Sequence, residues 1–167
     1  LDTLSCTIYQ NNSGCRLSAV LEPPASGEYT FWLASDDGGE LWLGTNGSAA
    51  TLVQIARVDL YTDPLDWQKE PGQKSAPITL EKGRKYALRA LQKQGGGDAH
   101  VAVGWMGPGI DAITVIPGTC LAMPPLSAEM LQLLRPHLLL GEKLGSFLAQ
   151  LSTDPPVELA VEYAGTV

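Results

Sequence analysis

The sequence predicts an all-β domain, an antiparallel β-sandwich of jelly-roll type, followed by a short and partly helical C-terminal extension. Three observations favour this fold. Short apolar or alternating segments recur along the first part of the chain, with turn residues between them. Glycine (18 residues) and proline (12 residues) are frequent, which suits many turns and few long helices. Hydrophobic residues make up 44% of the chain, enough to fill a core between two sheets.

The predicted strands follow one another at short, regular intervals, as in a sandwich. Residues 16–21 alternate between apolar and polar side chains, and proline and glycine break this segment at 22–27. Residues 60–76 carry proline, glycine and polar side chains and predict a surface loop, which Trp67 anchors to the core. The other strands are predicted at 28–34, 40–43, 54–58, 78–80, 85–91, 100–105 and 113–117, with one more short strand near the N-terminus.

The pattern changes near residue 124, so we predict a sandwich domain over 1–124 and a separate extension over 125–167. In the extension, Ser127 is a suitable helix N-cap, and apolar residues recur after it at helical spacing. Residues 157–163 alternate as one more strand. The extension is either a linker whose helices pack on the sandwich or the start of another domain.

Charge and hydropathy argue against two classes of partner. The net charge is −7, and Lys and Arg residues form no cluster along the sequence, which argues against nucleic acid as a partner. No apolar run approaches the roughly 20 residues of a membrane-spanning helix, so no direct membrane insertion is expected. The chain shows no initiator methionine and no signal peptide, and we expect it to be a piece of a longer protein.

Cysteines and sequons favour a secreted or cell-surface protein. Two Asn-X-Ser sequons begin at Asn11 and Asn46, each in a polar, turn-like stretch, and predict N-glycosylation. The spacing of the three cysteines matches no zinc motif. We predict a disulfide between Cys6 and Cys15, with Cys120 free or paired elsewhere, and the alternative pairs Cys120 with the N-terminal strand.

Asp36 and Asp37 are adjacent carboxylates at the end of a predicted strand, directly before two glycines. Neighbouring side chains of an extended chain point to opposite faces, so carboxylates that meet at one point need an unusual backbone between them. Such a pair suggests a hard divalent cation, calcium above all. The strands 28–34 and 40–43 on either side predict a hairpin, and the simpler interpretation of the pair is the polar turn of that hairpin.

A second acidic turn, at 95–98, also lies between two predicted strands. Gly95, Gly96 and Gly97 free the backbone to approach a ligand closely, and Asp98 adds a carboxylate. Backbone carbonyls with one carboxylate are suitable calcium ligands, whereas a flexible hairpin loop is the simpler interpretation of this segment alone.

The order of these motifs resembles the protective-antigen type (PA14) domain family. The resemblance covers roughly residues 17–120, and the N-terminus is shorter than the family's usual start. The motifs that carry it are the segments 35–43, 73–80, 83–86, 91–98 and 100–105, with the Trp-bearing loop between the first two.

The resemblance implies a β-sandwich that binds sugars through calcium. In the lectin members of the family, two adjacent aspartates joined by a cis peptide bond hold the ion, a second loop supplies further oxygens, and vicinal sugar hydroxyls bind the ion directly. The residues that match these positions, and are therefore the predicted calcium ligands, are Asp36, Asp37, Gly95, Gly96, Gly97 and Asp98. The specificity loops vary in the family, so the sequence assigns no particular sugar.

Three other residues are candidates to contact a ligand. Tyr61 and Trp67 lie in the long loop and are candidates to line a binding groove. His100 lies next to the proposed site, where a structural or surface role is the simpler alternative. Trp32, Trp42 and Trp105 occupy strand positions and are predicted core residues.

The sequence therefore predicts an extracellular, secreted or cell-surface module that binds glycans through a calcium ion. No Ser/His/Asp set has a suitable context, so we expect no enzyme activity of its own. The alternative is a structural or protein-interaction module of a cell-surface or secreted protein, in which calcium only stiffens the loops or is absent. We expect weak monovalent binding, near millimolar (about −4 kcal/mol), with useful adhesion arising from multivalency.

Overall fold

The computed structural model describes residues 3–8 and 11–124, which fold into two antiparallel β-sheets packed face to face. The all-β sandwich predicted from the sequence is therefore confirmed. The predicted helices and strand of residues 125–167 lie outside the described residues. In the part of the chain that the structure describes, no helix has the length and hydropathy that a bilayer crossing requires.

The longer strands agree with the predicted segments to within three residues at either end. The strands of the described residues are β1 (Ser5–Ile8), β2 (Ser13–Leu21), β3 (Gly27–Asp36), β4 (Gly39–Leu43), β5 (Val53–Val58), β6 (Ile78–Leu80), β7 (Tyr86–Gln94), β8 (Ala99–Gly107), β9 (Ile110–Val115) and β10 (Leu121–Ala122). Short 3₁₀ helices lie at Ala49–Thr51, Pro71–Gln73 and Gly118–Cys120. The first sheet has the order β1-β8-β3-β6, with β9 also paired to β8, and the second has the order β10-β2-β7-β4-β5.

Three connections cross from one sheet to the other at the same end of the sandwich. β1, β8 and β3 are neighbours in the first sheet, and β2, β7 and β4 are neighbours in the same order in the second. The chain crosses from β1 to β2, from β7 to β8 and from β3 to β4, so the crossings lie side by side. Their described residues are 11–12, 95–98 and 37–38.

The predicted hairpin around Asp36 and Asp37 is wrong, because β3 and β4 belong to different sheets. β3 pairs with β8 as far as Asp36, which lies opposite His100, and β4 pairs with β7 from Gly39 onward. The chain therefore leaves one sheet and enters the other within a few residues. A Cβ atom on Gly39 would lie 2.6 Å from the Ser35 Oγ, so this close approach requires glycine.

The core lies between the sheets and is built by the inward-facing residues of each strand. In β2, every second residue from Cys15 to Leu21 is buried, and in β3 Tyr29 and Phe31 are fully buried. The Trp105 ring stacks on Tyr29 with ring centroids 5.2 Å apart. The alternating pattern used to predict the strands thus comes from one apolar face per strand.

Trp105 lies in the central core as predicted. Trp32 is also buried, but Trp32 and Trp42 both project from the outer faces of their sheets. Both occupy the outward phase of their strands, because their sequence neighbours point into the core. Trp42 is half-buried, and its Nε1 donates a hydrogen bond to Glu40 Oε2 over 3.0 Å. Trp32 is covered on its outer face, with the Lys74 Nζ 5.5 Å from its ring centroid.

Residues 59–77 run along the edge of β3 and cover it. The Thr62 N–H donates to the Ser35 carbonyl over 2.8 Å, and the buried Gln73 Nε2 donates to the Leu33 carbonyl over 2.9 Å. An uncovered strand edge presents unpaired backbone groups that pair with other chains. The predicted surface loop therefore also protects the first sheet.

The burial pattern predicts unequal effects of two leucine substitutions. Leu33 is 0% exposed, so Leu33→Ala should lower the free energy of unfolding by about 2–5 kcal/mol through lost apolar contact and the cavity left behind. Leu60 is 71% exposed, so Leu60→Ala should change it by less than about 0.5 kcal/mol. Urea unfolding of both variants measures the difference, and equal effects would contradict the assigned packing.

Candidate functional site

Two of the crossings bring the predicted acidic turns together. Asp36 ends β3, Asp37 begins the crossing to β4, and the peptide bond between them is cis, as the family resemblance implies. The β7–β8 crossing lies alongside, because β8 pairs with β3 and β7 pairs with β4. The contact is direct, since the Gly95 N–H donates to Asp37 Oδ2 over 2.7 Å.

A buried glutamine holds both crossings. Gln94 is 1% exposed, and its Oε1 accepts the N–H of Asp37 over 3.2 Å. Its Nε2 donates to the carbonyls of Gly97 over 3.2 Å and of Asp98 over 3.3 Å. One side chain therefore fixes the backbone of the paired aspartates relative to the backbone of the second acidic turn.

Gln92 continues this network one step further into β7. Its Nε2 donates to the Asp36 carbonyl over 2.6 Å and to Gln94 Oε1 over 3.3 Å. Its Oε1 is buried and has no hydrogen-bond partner among the described residues. The sequence patterns identified neither glutamine, although both side chains point inward from β7, as those of Leu88 and Ala90 do. A polar side chain in an apolar phase was the signal that could have identified them.

The electrostatic environment of the crossings is negative. Burial raises the pKa of Asp36, and the nearby Asp37 carboxylate, with which Asp36 is in hydrogen-bonding contact, raises that pKa further. His100 partly opposes the effect. The pKa of His100 is itself lowered, because burial disfavours its charged form despite the nearby Asp36. Two carboxyl groups held together at one end of the sandwich are suited to a cation.

The remaining predicted ligands contribute in different ways. Gly96 lies beside the Asn11 side chain, and Gly97 has a φ of 92°, a conformation that favours glycine. Asp98 is exposed, and its charge contributes to the raised pKa of Asp36. Within residues 3–8 and 11–124, no three Asp, Glu, His or Cys side chains form a group that could hold a metal. A cation at this site would therefore take part of its coordination from carbonyl oxygens, water or a bound ligand.

Of the three candidates to contact a ligand, Tyr61 and His100 lie beside Asp36. Tyr61 forms an antiparallel backbone bridge with Asp36 and is 47% exposed. His100 faces Asp36 across the β3–β8 ladder, and its Nε2 is buried. Trp67 is half-buried with its ring against Gly104, so it packs on the outer face of the first sheet. Trp67 therefore anchors the loop to the outer face of the first sheet rather than, as was predicted, to the core between the sheets. A role of Trp67 in a binding groove stays a prediction.

The cysteines carry free thiols, and both sequons are exposed. Cys6 and Cys15 are in hydrogen-bonding contact with each other, and Cys120 is also free. Asn11 and Asn46 lie in exposed connections, where a glycosyltransferase would have access to them. The disulfide and the glycosylation stay predictions.

The hydrogen bonds of Gln94 predict that removal of its side-chain amide lowers the stability of the fold. Gln94→Met keeps a side chain of similar length but removes the hydrogen bonds to both crossings, and it should lower the free energy of unfolding by about 1–3 kcal/mol. Gln54→Met, at an exposed position of β5, is the matched control and should change it by less than about 0.5 kcal/mol. Chemical unfolding measures both, and a Gln94 variant as stable as the control would contradict the bridging role.

The sequence of this chain is similar to those of known proteins. Residues 7–118 match the PA14 domain family. The N-acetyl-beta-glucosaminyl-glycoprotein 4-beta-N-acetylgalactosaminyltransferase 1 of Mus musculus is 35% identical over 99 residues, which are 56% of this chain and 10% of that protein. The chain thus spans about a tenth of the length of this curated relative.

Two solved structures share the arrangement of strands. An anti-sigma factor domain-containing protein from Clostridium clariflavum has 23% identity and a TM-score of 0.55, over 75% of this chain and 41% of that chain. The A domain of epithelial adhesin 6 from Candida glabrata, solved in complex with Galb1-3GlcNAc, has 13% identity and a TM-score of 0.54, over 72% of this chain and 55% of that chain. At these identities the likeness establishes the fold. Because the family match covers most of the described residues and the two-sheet fold agrees with it, the chain belongs to the PA14 domain family.

Proposed function

We propose that this domain is a non-catalytic carbohydrate-binding module of an extracellular protein. We further propose that a calcium ion held by Asp36 and Asp37 forms the centre of its glycan site. The observation that carries the proposal is the meeting of two acidic turns, in which Asp37 Oδ2 and the Gly95 N–H are 2.7 Å apart. Carboxylate and carbonyl oxygens concentrated at an exposed end of a rigid sandwich are suited to a hard cation and its polyhydroxyl ligands.

The donor set fits calcium better than a transition metal. The groups nearest the cis bond offer oxygen, and the nearby imidazole of His100 has a buried Nε2. Burial, and then the adjacent Asp37 carboxylate, raise the pKa of Asp36. This also supports the proposal, because a divalent cation beside Asp36 would favour its charged form. Calcium accepts about 6–8 oxygen ligands, more than two aspartates supply, which leaves positions for carbonyls, water or sugar hydroxyls.

Two relatives support glycans as the ligand class. The epithelial adhesin A domain that shares this fold was solved with the disaccharide Galb1-3GlcNAc. The mouse relative is named for its action on an N-acetyl-beta-glucosaminyl-glycoprotein. Tyr61 is exposed and joined to Asp36 through the backbone, which supports a contact between its ring and a sugar held at the paired aspartates. The partner of this module is therefore proposed to be a cell-surface or secreted glycan.

Substitution of one aspartate tests the calcium site. Asp37→Asn keeps the side-chain shape but removes a charged ligand, and we expect it to reduce calcium affinity at least about tenfold (about 1.4 kcal/mol). Asp111→Asn, at an exposed position of β9, is the matched control with the same change in net charge and should leave the affinity unchanged. Isothermal titration with calcium measures both, and equal affinity of the two variants would sink the proposed ligand role of Asp37.

A glycan array, with calcium or with chelator, tests the proposed function. We expect binding of multivalent protein to a subset of glycans in calcium, its loss with chelator, and its loss in Asp37→Asn but not in Asp111→Asn. Calcium binding without any glycan signal would favour the alternative, a structural or protein-interaction module in which the ion only stiffens the crossings. Glycan binding that persists in chelator would contradict the role of the ion.

The raised pKa of Asp36 predicts a pH dependence of stability and of calcium binding. A folded-state pKa above the unfolded value means that the folded state binds the proton more tightly, so the Asp36 contribution to the free energy of unfolding falls as pH rises from about 4 through the raised pKa. Calcium competes with that proton, so its affinity should weaken as pH falls through the same range. Urea unfolding of the metal-free protein and of Asp36→Asn across this range checks the sign, since the variant should lose this part of the dependence.

A further inference from the structure

Cys6 and Cys15 lie on opposite sheets immediately below the first of the three crossings. Cys6 is in β1, where it pairs with Val101 of the first sheet, and Cys15 is in β2, where it pairs with Gln92 of the second. Cys15 is 3% exposed and part of the core cluster, and Cys6 packs against that cluster. The two thiols are in hydrogen-bonding contact, so the two side chains meet between the sheets.

The strand that carries Cys15 is tied to the second acidic turn. The Asn12 N–H donates to the Gly95 carbonyl over 2.9 Å, and the Asn11 side chain lies beside Gly96. Ser13 then pairs with Gln94 in the β2–β7 ladder. A bond between Cys6 and Cys15 would therefore also limit the movement of the 95–98 crossing.

We propose that Cys6 and Cys15 form a disulfide that links the two sheets and holds the 95–98 crossing in place. The reaction is thiol–disulfide exchange with a small or protein disulfide as oxidant. The Cys6 thiolate attacks one oxidant sulfur and releases the first thiolate. The Cys15 sulfur, on losing its proton to solvent, attacks Cys6 and releases the second. Two electrons pass to the oxidant, which leaves as two thiols, and one S–S bond forms in the protein.

The local chemistry supports the order of these two steps. The hydrogen bond from Cys15 lowers the pKa of Cys6 to about 7, against an opposing effect of burial, so Cys6 is partly thiolate at neutral pH. The same contact and burial raise the pKa of Cys15. Cys120 is the contrasting thiol, because burial raises its pKa and it lies at the opposite end of β2 from Cys15, where its carbonyl accepts the Glu22 N–H. The proposal is independent of glycan binding and would stand without it.

The full chain with Cys120→Ser tests the linkage. Equilibration with reduced and oxidised glutathione, thiol counting and peptide mass mapping should give a monomer that has lost two hydrogen atoms and both free thiols, with Cys6 and Cys15 peptides joined. In the wild-type chain, Cys120 should remain the reactive thiol. A Cys120-containing disulfide as the main wild-type product, a disulfide-linked dimer, or two thiols that stay reduced under oxidising glutathione would overturn the proposal.

Comparison of the oxidised and reduced forms tests whether the disulfide holds the 95–98 crossing in place. It uses one chain in two redox states, so it does not depend on the folding of a variant. The oxidised form should melt on the order of 10 °C higher, because the bridge restricts the unfolded chain over a short loop. Hydrogen exchange of the Asn12 and Gly95 amides should slow on the order of tenfold on oxidation, with no change at Ala56 in β5. Equal exchange of the Asn12 and Gly95 amides in both forms would refute the positioning role, even if the disulfide forms.

Discussion

The site depends on the alignment of three strands in one sheet with three strands in the other. Because β1, β8 and β3 lie over β2, β7 and β4, each connection between an overlying pair is a short crossing, and all three crossings fall at one end. Residues about sixty positions apart, such as Asp37 and Gly95, come within hydrogen-bonding distance because the strand order places their two crossings side by side.

Crossings of this kind leave backbone N–H and C=O groups without partners in a β-ladder. The side chains of two glutamines in β7 form hydrogen bonds with these groups instead. Gln94 and Gln92 supply hydrogen bonds to the peptide groups of both turns from inside the sandwich. Burial of an amide is costly unless its donors and acceptors are used. Of the four amide oxygen and nitrogen atoms of Gln92 and Gln94, all but Gln92 Oε1 have a hydrogen-bond partner among the described residues. The same interactions that satisfy the crossing backbone therefore fix the relative position of the proposed calcium ligands.

Sequence patterns predicted the strands well because each strand has one face in the core, and the period of two is a local property. They failed at the Asp36–Gly39 connection because turn chemistry shows that the chain bends but not which sheet it enters. The family resemblance, rather than periodicity, linked Asp36 and Asp37 to the 95–98 turn. Gln94 was not identified because the predicted strand ended at residue 91. The inward-facing positions of β7 become polar only beyond that residue, at Gln92 and Gln94.

The long 59–77 loop connects the stability of the first sheet to the geometry of the site. Its Thr62 exchanges two hydrogen bonds with Ser35, which places the neighbouring Tyr61 opposite Asp36. The loop covers an edge of β3 that would otherwise be open. The hydrogen bonds that cover this edge therefore also set the position of Tyr61. The two bonds to Ser35 use the backbone N–H and the hydroxyl of Thr62 and no atom of the Tyr61 side chain. We therefore expect substitutions of Tyr61 to change what lies beside the paired aspartates and to leave these bonds in place.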